Sequence, residues 1–330
     1  MYHRFQEMLS KVLLYTKATD FFWKRLPSGL YVFNYHRIGV AEASGYDHAI
    51  FSCSSEAFDE HVLKLKENFT IINCAQLAEI LEQEVLTDKR YAIITFDDGY
   101  VDNYTHAFPI LKKHNVSGSF YIATDFVDSN HIPWWDEIAF ILRNSCGEAY
   151  QLPSSNYSFV LDSANINQTI RQIMNAAKLL RNYSILEVLD DVRAKFPTAV
   201  KKLKLTEPKL FMNWSQINEM ANSGMEIGSH TLSHRILSQL SREEQKQEVS
   251  NSKKLIEAKL SCQITSIAYP VGRYHCYNQT SFEEVKEANY LIAFNNEPGS
   301  HRSISNQFDI NRYCVARDDI NYLRFECCFK

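Results

Sequence analysis

The sequence predicts an α/β fold, a barrel-like domain of about seven parallel strands, and three observations lead there. Short runs rich in β-branched and aromatic residues alternate with segments of helical apolar spacing, the rhythm of β/α units. Polar residues able to do chemistry stand just after several of those runs, at the C-terminal strand ends where parallel barrels build their sites. The length of 330 residues exceeds the usual single domain but suits an α/β barrel carrying an insertion. Apolar residues make up 45% and charged residues 22%, an ordinary balance for a chain with a large core. A net charge of −4 gives no reason to expect a nucleic-acid partner.

Over 1–27, Phe5, Met8, Leu9, Val12, Leu13 and Phe21 recur at helical spacing ahead of Pro27, predicting an amphipathic helix. Lys11, Lys17, Lys24 and Arg25 leave two roles open for it, packing on the domain or peripheral contact with an anionic membrane surface. No segment approaches the roughly 18 apolar residues of a membrane span, and no secretory cleavage pattern is present. The eight cysteines show no CxxC spacing and read as reduced thiols. The expected location is therefore the cytoplasm, with the inner face of the membrane as the place of any contact.

The main domain is expected over 28–330. GLYVFNYHRIG (29–39) reads as a buried strand running into a polar end, and FSCSSEAFDEHVLKLKENF as a serine-capped helix. A short strand and helix follow in TIINCAQLAEILEQE, then the strand YAIITF (91–96), the helix THAFPILKKHN and the strand SGSFYIAT. From about 128 to 209 the rhythm changes: NQTIRQIMNAAKLL and SILEVLDDVRAKF carry helical apolar faces, predicting a largely helical insertion. Trp134 and Trp135, at its entry, either stack on sugar rings in a cleft or anchor the insertion's core. The β/α rhythm resumes with NWSQINEMANSG, MEIGS, a helix opened by the capping pair Ser241 and Glu244, ITSIAYP, SFEEVKEAN and YLIAF, ending through FDINRYCV.

The chemistry-bearing residues follow strands. They are His36 after YVFNY, Asp97 and Asp98 after YAIITF, His230 and His234 after EIGS, and the segment from Tyr269 to Gly272 after SIA. Two adjacent carboxylates repel unless something compensates. A divalent cation bound by one of them neutralises the local charge and lets the other remain ionised as a base. His230 and His234, four apart, can aim both imidazoles at one point, and two histidines with one aspartate make an open site for a borderline cation such as zinc. A capping turn would account for one aspartate of DDG, but not for histidines on another strand end.

TFDDG, SHTLSH and AYPVG, in that order, resemble the polysaccharide deacetylases (carbohydrate esterase family four, the chitooligosaccharide-deacetylase homology domain). YHRI, FSCSSEAFDEHV and WSQINEMANSGMEIGSHT look like segments of members acting on bacterial exopolysaccharides and lipid-linked glycans. The resemblance implies a distorted (β/α) barrel and hydrolysis of an N-acetyl group on an amino sugar in a glycan or lipid-linked precursor. It implies Asp97 as general base, Asp98, His230 and His234 as ligands of a divalent ion, most often zinc, and backbone N–H groups near Tyr269 beside the developing oxyanion. Tyr269, Pro270 and Gly272 then join the substrate contacts, with Trp134 and Trp135, and Arg312 in INRY matches a family arginine at the cleft.

Two departures stand out. Ala268 occupies the place where many relatives carry an arginine that orients the base, a feature shared with a subset of exopolysaccharide deacetylases. The late LxH motif, whose histidine protonates the leaving amine, is missing, which leaves His301 and His36 as candidates for the acid. Two other readings stay open, a hydrolase of another amide or ester at the same site and a non-catalytic glycan-binding protein on the same fold.

Overall fold

The computed structural model describes residues 18–82, 89–153, 155–177, 185–206 and 209–329. The helix expected over 1–27 lies largely outside them; within them, Ala18–Trp23 is helical. The chain forms two compact units. One joins Met1–Gly39, Ser52–Ser129 and Phe211–Lys330, and the other joins Val40–Phe51 with Asn130–Leu210. Among the described residues no helix is long and apolar enough to cross a membrane.

The first unit is built on a parallel sheet. Its strands, in chain order, are β1 (Gly29–Tyr35), β2 (Thr70–Ile71), β3 (Arg90–Phe96), β4 (Ser119–Ile122), β5 (Glu226–Ser229), β6 (Ser266–Ala268), β7 (Ile292–Phe294) and β8 (Tyr313–Cys314). Seven of them run in the spatial order β7-β6-β5-β4-β3-β1-β8, and β2 pairs with β3 off that path. The segment ending in β8 is laced to both edges of the sheet. Ile310 bridges Phe294 of β7, while Tyr313 and Cys314 pair with Phe33 and Asn34 of β1. One stretch of chain therefore draws the sheet into a distorted (β/α) barrel.

Both faces of the central strands β1, β3 and β4 are buried along most of their length, which is why they read as nearly continuous apolar runs. Alternation still sorts the side chains. Tyr31, Phe33, Tyr35, Ala92, Ile94 and Phe96 pack outward against helices such as Ser55–Asn68, where they meet Phe58, Val62 and Leu65. Leu30, Val32, Ile93, Tyr121, Ala268 and Phe294 form a second cluster that lines the barrel. The same period of two puts Asn34, Thr95 and Asp97 on the lining face, one after another towards the C-terminal rim.

Register then decides what meets at that rim. Tyr35 pairs with Phe96, Ile122 with Ser229, Ile267 with Ser229, and Ala268 with Phe294. The residues that follow these strands, His36, Asp97, His230, Tyr269 and Asn295, stand along the C-terminal rim of the sheet. Helix Arg242–Leu260 starts at the capping box of Ser241 and Glu244, as the sequence predicts.

The second unit holds helices Trp134–Arg143, Ile166–Ala177, Ile185–Lys195 and Pro197–Lys204. It also contains an antiparallel hairpin, Ala149–Gln151 with Ser158–Val160, beyond the helical pattern of the sequence. Helix Trp134–Arg143 is its centre: Glu137 takes Arg193 at 2.7 Å on both carboxylate oxygens. Buried Asp136 accepts the N–H of Asp47 at 2.9 Å and so ties in the Val40–Phe51 segment. Trp135 is only 8% exposed and stands edge-on to Trp134, which identifies Trp135 as a core anchor of this unit.

Candidate active site

Asp97 leaves β3 with its backbone N–H donated to the Tyr35 carbonyl, and its carboxylate is fully buried. Arg312 grips it in a fork: Nη1 donates to Oδ1 at 2.8 Å and Nη2 to Oδ2 at 2.7 Å. Asn34 Nδ2 donates to Oδ2 at 2.9 Å. Arg312 is itself fully buried, with Nε donating to the Asn295 carbonyl at 2.7 Å and the guanidinium near the rings of Tyr121 and Phe294. Burial alone would push the Asp97 carboxyl up, but the charges of Arg312 and His230 outweigh it and hold the carboxyl below its ordinary range. The residue stays an anion in a nearly dry setting.

Asp98 turns away from β3. Its φ of 74° and the φ of 84° at Gly99 are both left-handed, and Gly99 accepts the Met212 N–H through its carbonyl. At Gly99 a Cβ would meet Ile122 at 3.0 Å, so glycine suits the position twice over. This turn sends the Asp98 carboxylate across to the loop after β5. There, His230 Nδ1 stands 2.8 Å from the Ala268 carbonyl, which can only accept, so Nδ1 carries a proton and Nε2 is the nitrogen turned towards Asp98. Glu248 of helix Arg242–Leu260 holds the loop from behind, accepting the N–H groups of Leu232 and Ser233 and the Ser233 hydroxyl.

Asp98 Oδ1 lies 3.4 Å from His230 Nε2 and 3.3 Å from His234 Nε2, and it is buried with no hydrogen-bond partner. Burial raises the Asp98 carboxyl; the two imidazoles outweigh it and hold the carboxyl well below the usual range. Three ligands about 2.0–2.1 Å from a tetrahedral ion stand roughly 3.3–3.4 Å apart, so this oxygen and the two nitrogens fit one divalent cation. Among the described residues these three are the cluster with that capacity.

The structure places the remaining candidates as follows. His36 is half-buried and follows the end of β1. His301 is elsewhere: it bridges Leu30 at the start of β1, and its Nε2 accepts the Asn311 N–H at 2.8 Å. The rim is five residues further along β1, roughly 16 Å at strand rise, so His301 is too far to protonate a leaving group there. Tyr269 is fully buried against Tyr277, donates its hydroxyl to the Phe308 carbonyl and its N–H to the Phe294 carbonyl, and so serves packing. Pro270 is buried, and Gly272, also buried, packs its backbone on Asn296. Arg312 faces Asp97 and not the cleft. It stands just before β8, so the arginine that contacts Asp97 comes from the end of the chain and not from the Ala268 position.

Sequence reasoning missed Asn34, Thr95, Asn295 and Asn296. Thr95 Oγ1 donates to Asn34 Oδ1 at 3.0 Å, Asn34 Nδ2 also reaches Asn296 Oδ1 at 3.0 Å, and Arg312 Nη1 reaches Asn34 Oδ1 at 3.1 Å. The available signal was the period of two, since Asn34 and Thr95 are polar residues on the lining face of otherwise apolar strands.

Residues 84–293 match the family model described as Polysaccharide deacetylase. YxkH of Bacillus subtilis (strain 168), a polysaccharide deacetylase by name, is 23% identical over 291 residues, 88% of this chain and 72% of that protein. The fold is similar to the Streptococcus pyogenes deacetylase PplD in complex with acetate (TM-score 0.58, 19% identity, 90% of this chain and 98% of that one). It is also similar to IcaB from Ammonifex degensii (TM-score 0.58, 17% identity, 92% and 98%).

Proposed function

The chain belongs to the polysaccharide deacetylase family, and from that membership we propose that it removes an N-acetyl group from an amino sugar in a polysaccharide or lipid-linked glycan precursor. The observation that carries the reading is the split between two neighbouring carboxylates, Asp97 bound to Arg312 and Asp98 facing two imidazoles.

Asp98, His230 and His234 would hold a divalent ion, zinc by the chemistry of the donor set. When bound, such an ion supplies Lewis acidity for an amide carbonyl and for water. Asp97, kept anionic by Arg312, takes the proton from the attacking water. His36, just after β1, would give a proton to the departing amine or touch the sugar. Second-layer groups fix these roles: the Ala268 carbonyl sets the His230 tautomer, and Glu248 fixes the loop between the histidines.

Mass spectrometry of N-acetylated amino-sugar oligomers and lipid-linked precursors, before and after incubation with zinc-loaded protein, should record the loss of acetyl groups. Asp97→Asn should lower turnover by about 100- to 10,000-fold with zinc content unchanged, because an amide cannot accept the proton. Binding of these glycans with no acetate released by the parent protein would replace this reading with a glycan-binding one.

A further inference from the structure

We propose that Asn34 is a positioning residue for the base, closing one oxygen of Asp97 so that Oδ1 is the atom that takes the proton. The inference rests on Asp97 as the base and goes further by naming the oxygen and the residue that selects it.

A carboxylate oxygen accepts two hydrogen bonds in its plane. Asp97 Oδ2 has both, one from Arg312 Nη2 at 2.7 Å and one from Asn34 Nδ2 at 2.9 Å. Oδ1 has one, from Arg312 Nη1 at 2.8 Å. A proton arriving from water therefore meets an acceptor only at Oδ1. Arg312 alone treats the two oxygens alike; the asymmetry comes from Asn34.

The Asn34 amide is held in the orientation this requires. Its Oδ1 accepts from Arg312 Nη1, which can only donate, and stands 3.0 Å from Thr95 Oγ1, while its Nδ2 gives its other proton to Asn296 Oδ1 at 3.0 Å. Turning the amide over would set its oxygen against Asp97 and Asn296 Oδ1 and its NH2 against the guanidinium. Asn296 is anchored in turn, its N–H donated to the Gly272 carbonyl at 2.7 Å. Asn34 is fully buried, so no solvent molecule substitutes for its amide at Oδ2.

Asn34→Leu keeps the branched shape in a larger side chain and removes the donor; Asn34→Ser is smaller and leaves a polar gap that is easier on the fold. The measurements are kcat and KM on the panel oligomer turned over fastest, zinc content, and melting temperature, with Asp97→Asn run alongside. Either folded variant should lose about 10- to 100-fold in kcat, the scale of a misaimed catalytic group, at parent KM and zinc content. If Asn34→Leu shows no cooperative melting, Asn34→Ser decides. Parent-like kcat in a folded variant, with Asp97→Asn inactive, overturns the role of Asn34 and leaves the base intact. Loss of zinc, or KM and kcat worsening together, also overturns it, because that is the pattern of a scaffold residue. Parent-like turnover in Asp97→Asn would instead overturn the base.

Discussion

Asp97 and Asp98 are neighbours in the chain and both are buried, yet they sit in opposite surroundings. The Asp97 corner is closed by permanent protein donors, Arg312 and Asn34, held from behind by Thr95 and by the Asn295 carbonyl, which accepts from Arg312 Nε. The Asp98 corner sets an oxygen without a hydrogen bond against two imidazole nitrogens. Backbone conformation divides the same way. Asp98, Gly99, Thr231 and His234 all have positive φ, whereas Asn34, Thr95, Asp97, Asn295 and Arg312 do not. Strain of this sort costs roughly 1–3 kcal/mol per non-glycine residue and persists where function needs it. One corner is finished by folding; the other, on the proposed reading, would be finished by a bound cation.

The comparison breaks most forcefully at Arg312. Arg312→Met keeps much of the volume but leaves the Asp97 carboxylate buried without its counter-charge, a change that costs about 3–5 kcal/mol. Urea unfolding at neutral pH should register that loss. The double variant Arg312→Met with Asp97→Asn should recover a large part of it, since the stranded charge is gone. A single variant as stable as the parent would mean that the corner is not closed by this pair.

The sequence reveals one corner far better than the other, for a physical reason. Asp98, His230 and His234 are marked by local patterns, DDG at a strand end and two histidines four apart, because ligand groups must sit at rims and turns. The strands themselves were legible from apolar runs such as YAIITF, observed as β3. Nothing local marks the partner of Asp97: Arg312 lies 215 positions away and reaches it only because β8 pairs with β1. Tyr269 and Trp135 show the limit of residue type as a guide, since an aromatic beside a motif can equally be core, and both are. His301 lies late in the chain, where a family histidine is expected, but at the wrong end of a strand. Val40–Phe51 joins the second unit through Asp136, a contact that no periodicity announces.

A smaller effect is expected at the open corner. Glu248 accepts from Leu232 N, Ser233 N and Ser233 Oγ, between the two histidines. Glu248→Ala should weaken zinc affinity by about 10- to 100-fold, the usual cost of removing an outer support. Competition with a chromophoric chelator measures it. Unfolding in the presence of a chelator should separate the two corners, because Glu248→Ala should then fall much less than Arg312→Met. Unchanged zinc affinity in a folded Glu248→Ala would show that the loop is held by its own backbone contacts, such as Thr231 O with Thr124 N.

The smallest expected effect lies in the turn that separates the two aspartates. Gly99 has a φ of 84°, and a Cβ there would stand 3.0 Å from Ile122 Cγ2 and 3.3 Å from its Cβ. Gly224 has nearly the same φ, 87°, with nothing within 4 Å of the position. Gly224→Ala therefore isolates the cost of a side chain in left-handed backbone, about 1 kcal/mol. Gly99→Ala should cost more, about 1–2 kcal/mol, because Ile122 is the last residue of β4 and can yield only by moving the strand that leads into the loop facing His230. The comparison is sharpest when both variants are unfolded with and without zinc. Since Gly99 adjoins Asp98, only its variant should show a reduced gain in stability on adding zinc. Equal costs for the two alanines, and equal zinc gains, would mean that the turn merely tolerates Gly99 and that Ile122 does not govern where Asp98 points.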